Sequence, residues 1–384
     1  MFFEIGTVIK NNFPVNYTIN NLVLNFDLGW EEIAFENATV FFKGYILNKD
    51  SVKDNLQSII KDNNHSLDGN FTAIVCYANY VIITHDINRG YPVWYDKNII
   101  TNLKSCKHSL FANKIIKLDY NFNIEFLNTN LKEKNYETLS YDNAIKKIYN
   151  ILANKFELFL SYNQRPLKVF LSGGVDTLTL YSFLKKFTNN FEIVDYEYKK
   201  FTKFYKANWH EHIRKFWGYN QMHTWGDSPV SLITGGCGDE YMLRGPRTLN
   251  LMAQHHNINV IELLEANKEC YHYKYFCRDY NLKIFNTPIG GLFEKIKSNK
   301  SLVINYILNE LQNDHQHWHI DETIFFTPFK DIEIANIILQ LDKNDFISQI
   351  TDAKINKDLI CMNDSNDLKL LSTYKNTNHF EKLY

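Results

Sequence analysis

Leu167–Leu171 (LKVFL) followed at once by Ser172-Gly173-Gly174-Val175-Asp176-Thr177 is a short apolar strand running into a glycine-rich turn. Beyond the turn, residues 179–187 carry apolar side chains at helical spacing, and residues 191–196 (FEIVDY) read as a second strand. Strand, glycine turn, helix, strand is the opening of a parallel α/β domain, because parallel neighbours need a crossover between them. The turn also holds the parts of an anion site. Gly173 and Gly174 let the backbone approach a ligand closely. The helix start offers N–H groups and a positive dipole end. Ser172 and Thr177 add hydroxyls, and Asp176 supplies a hard oxygen suited to Mg²⁺. Two glycines alone would describe an ordinary capping turn. The full string, set between a buried strand and an apolar helix, reads as a polyphosphate loop. No GKS or GKT follows, so it is not of the Walker type.

A second stretch repeats the pattern downstream. Residues 230–240 (VSLITGGCGDE) are an apolar strand ending in Gly235 and Gly236, with Asp239 and Glu240 after them. Ahead of the first loop, Ile145, Ile148, Leu152, Phe156 and Phe159 form the stripe of an amphipathic helix. Up to about residue 125 the chain reads differently. Residues 38–42, 71–78 and 80–85 are strand-like, rich in β-branched and aromatic residues. Residues 49–61 are helical, with Val52, Leu56, Ile59 and Ile60 on one face. We therefore expect an α+β sandwich over residues 1–125, a polar linker over 126–140 and an α/β domain with a parallel sheet over 141–384.

Composition narrows the function classes. Forty-two basic and 43 acidic side chains balance, which argues against nucleic acid and anionic membranes as partners. No stretch approaches the ~20 apolar residues of a membrane span, and the first residues do not form a signal peptide. The six cysteines lie scattered without CxxC pairs, as in a reducing, cytoplasmic setting.

The hexamer at 172–177 resembles the SGGxDS pyrophosphate loop of the ATP-pyrophosphatase superfamily, with Thr177 in place of Ser. The second loop resembles the SGEGSDE strand and loop of asparagine synthetases, Asp239 and Glu240 falling on its DE. Thr327-Pro328-Phe329-Lys330-Asp331, with the apolar residues 332–341 after it, is similar to that family's PFLD motif and following helix. Residues 207–225 look like its LGxxHH region. In the N-terminal half, Phe42-Lys43-Gly44-Tyr45, Leu67-Asp68-Gly69-Asn70-Phe71 and Thr84-His85-Asp86 with Arg89-Gly90 and Trp94-Tyr95 resemble its glutaminase domain.

That resemblance implies a glutaminase-like (Ntn-hydrolase) sandwich and an adenine-nucleotide α-hydrolase-like domain. It implies ATP and Mg²⁺ as cofactors, with Ser172, Gly173, Gly174, Asp176, Thr177, Gly235 and Gly236 at the nucleotide and Asp176 and Asp239 on the metal. It also implies Lys375 as the lysine that stabilises the transition state.

Two departures shape the expectation. The family's glutaminase nucleophile is a cysteine at residue 2, where this chain has Phe2, so the N-terminal domain is expected to be catalytically silent. The glutamate of SGE is Gly236 here, and Ile324 and Phe326 stand where acidic and basic residues precede PFLD, leaving the amine-deprotonating base unidentified. His315, His317 and His319 alternate and suit a metal on one strand face, a polar surface strand or loop, or that base; without a carboxylate or Cys at ligand spacing, the polar surface is favoured. Arg244 and Arg247 suit an anionic substrate group, or equally a solvated helix face.

The expected activity is an AMP-forming amide ligase without glutaminase activity, acting on a small molecule or peptide with a carboxylate and an amine, on the same molecule (a cyclisation) or on two. A nucleotide-binding regulatory protein and an enzyme adenylating a nucleobase carbonyl remain as alternatives.

Overall fold

The computed structural model describes residues 3–7, 13–62, 65–88, 90–91, 93–102, 106, 108–111, 114–129, 137–171, 174–195, 230–244, 307–308 and 324–370. The chain divides into two compact units. Of the described residues, the first unit holds 3–129, 230–231, 308 and 324–326, and the second holds the rest.

The first unit contains two six-stranded antiparallel sheets. One orders β10(His108–Ser109), β8(Trp94–Asp96), β9(Ile99–Thr101), β1(Phe3–Gly6), β3(Leu22–Phe26) and β2(Val15–Ile19). The other orders β12(Ile124–Asn128), β11(Lys114–Asp119), β7(Tyr80–His85), β6(Gly69–Cys76), β5(Thr39–Ile46) and β4(Glu31–Ala34). Phe3, Ile5, Leu24 and Phe26 of the first sheet share one core with Phe41, Ile74, Val81, Ile83 and Ile116 of the second. Phe26 and Phe41 lie 5.0 Å apart, ring centre to ring centre, within it.

The alternate residues Phe42, Phe71, Ala73, Val75 and Ile82 face the other way and pack on Leu56 and Ile59 of α1(Val52–Asp62). Each of those two helix side chains contributes about 1.5–3 kcal/mol by leaving water. Ser51 starts the helix by accepting from the Asp54 N–H at 3.1 Å. Because both faces of the second sheet are covered, every residue of β6 is buried.

Gly44, opposite Phe71, and Gly69, opposite Ile46, lie within the β5–β6 ladder at φ of +120° and +149°. A Cβ at Gly44 would sit 2.1 Å from the Asn70 carbonyl oxygen, and one at Gly69 2.2 Å from that of Tyr45. Hence neither position accepts a side chain.

The second unit begins with α2(Tyr141–Tyr162), whose expected stripe is buried throughout. Phe156 stacks on Phe183 of α3(Val175–Phe187) at 5.9 Å. β13(Leu167–Leu171) pairs in parallel with β14(Glu192–Asp195), Lys168 opposite Glu192, and α3 is the crossover between them. β15(Ser231–Ile233) lies on the other side of β13. After β15 come one turn of helix, α4(Gly238–Tyr241), then α5(Ile332–Ile338), α6(Lys343–Asp352) and α7(Lys354–Asp364). The mixed architecture, antiparallel sheets first and a parallel pair second, agrees with the expected fold class at that level. Among the described residues no helix is long and apolar enough to cross a membrane.

Candidate functional site

α3 brings Asp176 to the site. Val175 and Leu178 anchor its first turn against Ala353 and Ile360 of the α7 region. Gly174 is the N-cap and supplies no side-chain cap, and a helix start leaves N–H groups without intrahelical partners. Thr177 is 6% exposed and its hydroxyl donates to the Gly174 carbonyl at 3.0 Å. In this state its proton braces the turn. Ser172 and Gly173 lie outside the described residues.

The second loop is built around a single helical turn. Gly238 N–H donates to Gly235 at 3.0 Å, and Gly236 N–H to the Thr234 hydroxyl at 3.3 Å. Cys237 and Leu243 flank the turn with φ of +60° and +58°, a left-handed conformation that costs a non-glycine residue about 1–2 kcal/mol. At Leu243 it ends the helix. Arg244 N–H reaches back to Asp239 O at 2.6 Å and Leu243 N–H to Glu240 O at 3.3 Å, the paired bonds of a Schellman cap. The cap folds the chain so that Arg244 comes beside the acid that opens α4.

The two loops touch. A Cβ at Gly235 would lie 2.9 Å from both the Thr177 amide nitrogen and its methyl group, and one at Gly238 would lie 2.4 Å from Asp176 Cγ. The glycines of the second loop thus make room for the acid of the first. Between the loops lies the Arg244 guanidinium, 1% exposed. Its Nη2 makes a very short contact with Asp176 Oδ1 and a second, at 3.1 Å, with Asp239 Oδ1. The side chains of Asp176 and Asp239 are 17% and 37% exposed. Burial raises the Asp176 pKa, Arg244 opposes that rise, and the charges of Asp239 and Glu240 add to it.

Buried amides complete the arrangement. Asn356 Nδ2 donates to Asp176 Oδ1 at 3.0 Å. Gln349 ties Asn356 Oδ1 (3.2 Å), the Met242 carbonyl (3.2 Å) and the Ile355 N–H (2.8 Å) into one network. Neither Gln349 nor Asn356 lies in a recognisable sequence pattern, and no local signal marks them. The sequence did offer a solvated helix face as one reading of Arg244, and its burial on two carboxylates overturns that reading. Further off, Asp331 caps α5 by accepting from Glu333 N–H at 2.8 Å and pairs with buried Lys155 at 3.0 Å. The acid of the TPFKD stretch is thereby a cap and an ion-pair partner. Lys375, Arg247, the three alternating histidines and residues 207–225 lie outside the described residues.

Asp176 and Asp239 meet at one cation position, and their two hard oxygens are what Mg²⁺ takes from protein when phosphates and water supply the rest. The donor set therefore fits Mg²⁺. Among the described residues no group of three or more His, Cys, Asp or Glu is placed to form an all-protein cage.

No protein-family model matches the sequence, and no curated protein matches it. Among solved structures, the glutamine phosphoribosylpyrophosphate (PRPP) amidotransferase from B. subtilis, complexed with ADP and GMP, matches at 8% identity and a TM-score of 0.23. The match covers 58% of this chain and 63% of that one, so this chain spans less than two thirds of that neighbour's length. A likeness of that size carries no argument about fold or activity.

Proposed function

We propose that this chain binds ATP with Mg²⁺ at its two glycine loops and adenylates a substrate carboxylate, which an amine then captures as an amide. One observation carries the reading. Two glycine-acid loops far apart in the sequence converge so closely that Asp176 and Asp239 share a single cation position.

In this reading the N–H groups at the start of α3 cradle the β- and γ-phosphates. Asp176 and Asp239 hold the metal, and Gly235 and Gly238 keep the loops at contact distance. Bound Mg²⁺ supplies positive charge to the phosphates as pyrophosphate leaves. The carboxylate attacks the α-phosphorus, the bond to the β-phosphate breaks, and the amine displaces AMP. Lys375 is assigned to the transition state on the resemblance alone. In this reading glutamine does not supply the nitrogen, which is in keeping with Phe2 at the position of the family's nucleophile and with Cys76, whose burial in the sandwich core pushes its thiol up to about 12.

The test is substrate-dependent exchange of labelled pyrophosphate into ATP across a panel of carboxylates, with hydroxylamine present in parallel to trap the acyl adenylate as a hydroxamate. Exchange with AMP formation supports the ligase, and stoichiometric ADP overturns it. A second reading, a nucleotide-binding regulatory protein, draws on the guanidinium seated between the two carboxylates. Tight nucleotide binding without exchange on any carboxylate would favour it.

A further inference from the structure

We propose that Arg244 is a displaceable place-holder. It offsets part of the charge of the Asp176–Asp239 pair in the nucleotide-free protein and yields that position only when a divalent cation arrives together with polyphosphate. The inference rests on reading Asp176 and Asp239 as the cation-binding pair, and it adds a control over when that pair accepts its ion.

Asp176 and Asp239 converge, and Glu240 beside them is 8% exposed. Carboxylates gathered in so enclosed a spot repel one another unless a cation stays among them. The described structure supplies that cation from the chain itself. A guanidinium does not give up its proton in a protein, so it cannot clear the site by titration. Its Nη2 lies on Oδ1 of both carboxylates with its positive charge, so a divalent cation drawn to that pair of oxygens cannot share the position with it. Entry of Mg²⁺ therefore requires Arg244 to swing away.

The local backbone suits such an exchange. Arg244 hangs on the Schellman bond from its own N–H to Asp239 O, so its side chain can turn while the loop stays closed. Asp176 also accepts from Asn356 at 3.0 Å, a bond independent of the guanidinium that holds its aim.

Where the guanidinium goes follows from its chemistry. Buried and charged, it needs a new anion, and the phosphates arriving with the metal are planar-fork partners of the right sign. Metal alone offers Arg244 nothing in return for its two carboxylates. Metal and polyphosphate together do, which makes their binding mutually dependent.

The test uses Mn²⁺ as a spectroscopic stand-in and inorganic tripolyphosphate as the anion. On the unmodified protein, electron paramagnetic resonance should show Mn²⁺ bound only when tripolyphosphate is present. Arg244→Met should bind Mn²⁺ without the anion, at a concentration roughly 10-fold or more below that needed by the parent. Its melting temperature should rise with Mg²⁺ alone, and the added Asp239→Asn change should abolish that rise. If Arg244→Met does not fold, Arg244→Lys, which keeps the charge on a shorter reach, should show the same shift in smaller degree. Equal Mn²⁺ binding by parent and variant without the anion would overturn the inference. So would tripolyphosphate binding by the parent that is unchanged in EDTA, which would make Arg244 a permanent substitute for the metal. Failure of the ligase reading looks different: coupled Mn²⁺ and tripolyphosphate binding would persist while no carboxylate supports pyrophosphate exchange.

Discussion

Gly238→Ala tests whether the two loops are fitted to one another. The added Cβ would stand 2.4 Å from Asp176 Cγ and 2.8 Å from each carboxylate oxygen. Ordinary carbon contact is about 3.5 Å, so the carboxylate must retreat by about 1 Å. Its Oδ1 accepts from Asn356 at 3.0 Å, and that retreat stretches the bond beyond hydrogen-bonding range. Overpacking costs about 1–3 kcal/mol, and a hydrogen bond to a charged group is worth about 1.5–3 kcal/mol. We expect a loss near 3 kcal/mol once the terms overlap, or roughly 6–12 °C in Tm for a unit of this size. The decisive assay is a double-mutant cycle by thermal and urea denaturation. Asp176→Ala removes all three atoms that the new methyl would meet. On that background Gly238→Ala should cost no more than about 0.5 kcal/mol, a coupling of about 2 kcal/mol or more. If Gly238→Ala destabilises both backgrounds equally, the contact between the loops is not what fixes the glycine.

Lys155→Met should destabilise by about 2 kcal/mol, because Asp331, 13% exposed, still reaches water. Asp331→Ala should cost about 4 kcal/mol, since it takes the carboxylate from a lysine side chain that is 4% exposed and removes the α5 cap; equal losses in urea melts would contradict this. Burial, with neighbouring His85 adding to it, lowers His65 from 6.5 to about 4. The unfolded chain thus takes up a proton below pH 6.5 that the folded chain refuses until about 4, so stability is full above 6.5 and falls as pH drops through that window. Melts from pH 7 to 4.5 should show a shallower fall for His65→Gln, and identical slopes would refute the assignment. The purified protein should release no glutamate from glutamine above a buffer blank; release that Cys76→Ser abolishes would overturn the silent glutaminase-like unit.

Local pattern made much of this fold legible. The stripe from Ile145 to Phe159 is a helix face buried over its whole length because its period matches the 3.6-residue turn. The glycine strings read as loops that approach an anion, whereas the contact the structure describes is between the loops themselves, Gly235 and Gly238 against Thr177 and Asp176. A hairpin signal also lies in the sequence. Asn20-Asn21 links β2 to β3 in a two-residue hairpin, with Ile19 opposite Leu22 and Asn20 at φ +51°. The division of strands between two stacked sheets was not legible, since alternation gives a face but not a partner. Arg244 was hidden for a different reason. Its place depends on a left-handed turn at Leu243, where no glycine announces one, and on an acid in a distant loop.

The complete burial of β6 has a consequence for the life of the protein outside its folded state. A strand covered on both faces cannot carry charge, and the rule extends through its hairpin: between Asp68 and Asp86 there is no Asp, Glu, Lys, Arg or Pro. Such a segment, rich in β-branched and aromatic residues, pairs readily with copies of itself once uncovered. Opening of the sandwich therefore exposes an adhesive hairpin, and heating should end in self-association whose rate climbs with protein concentration.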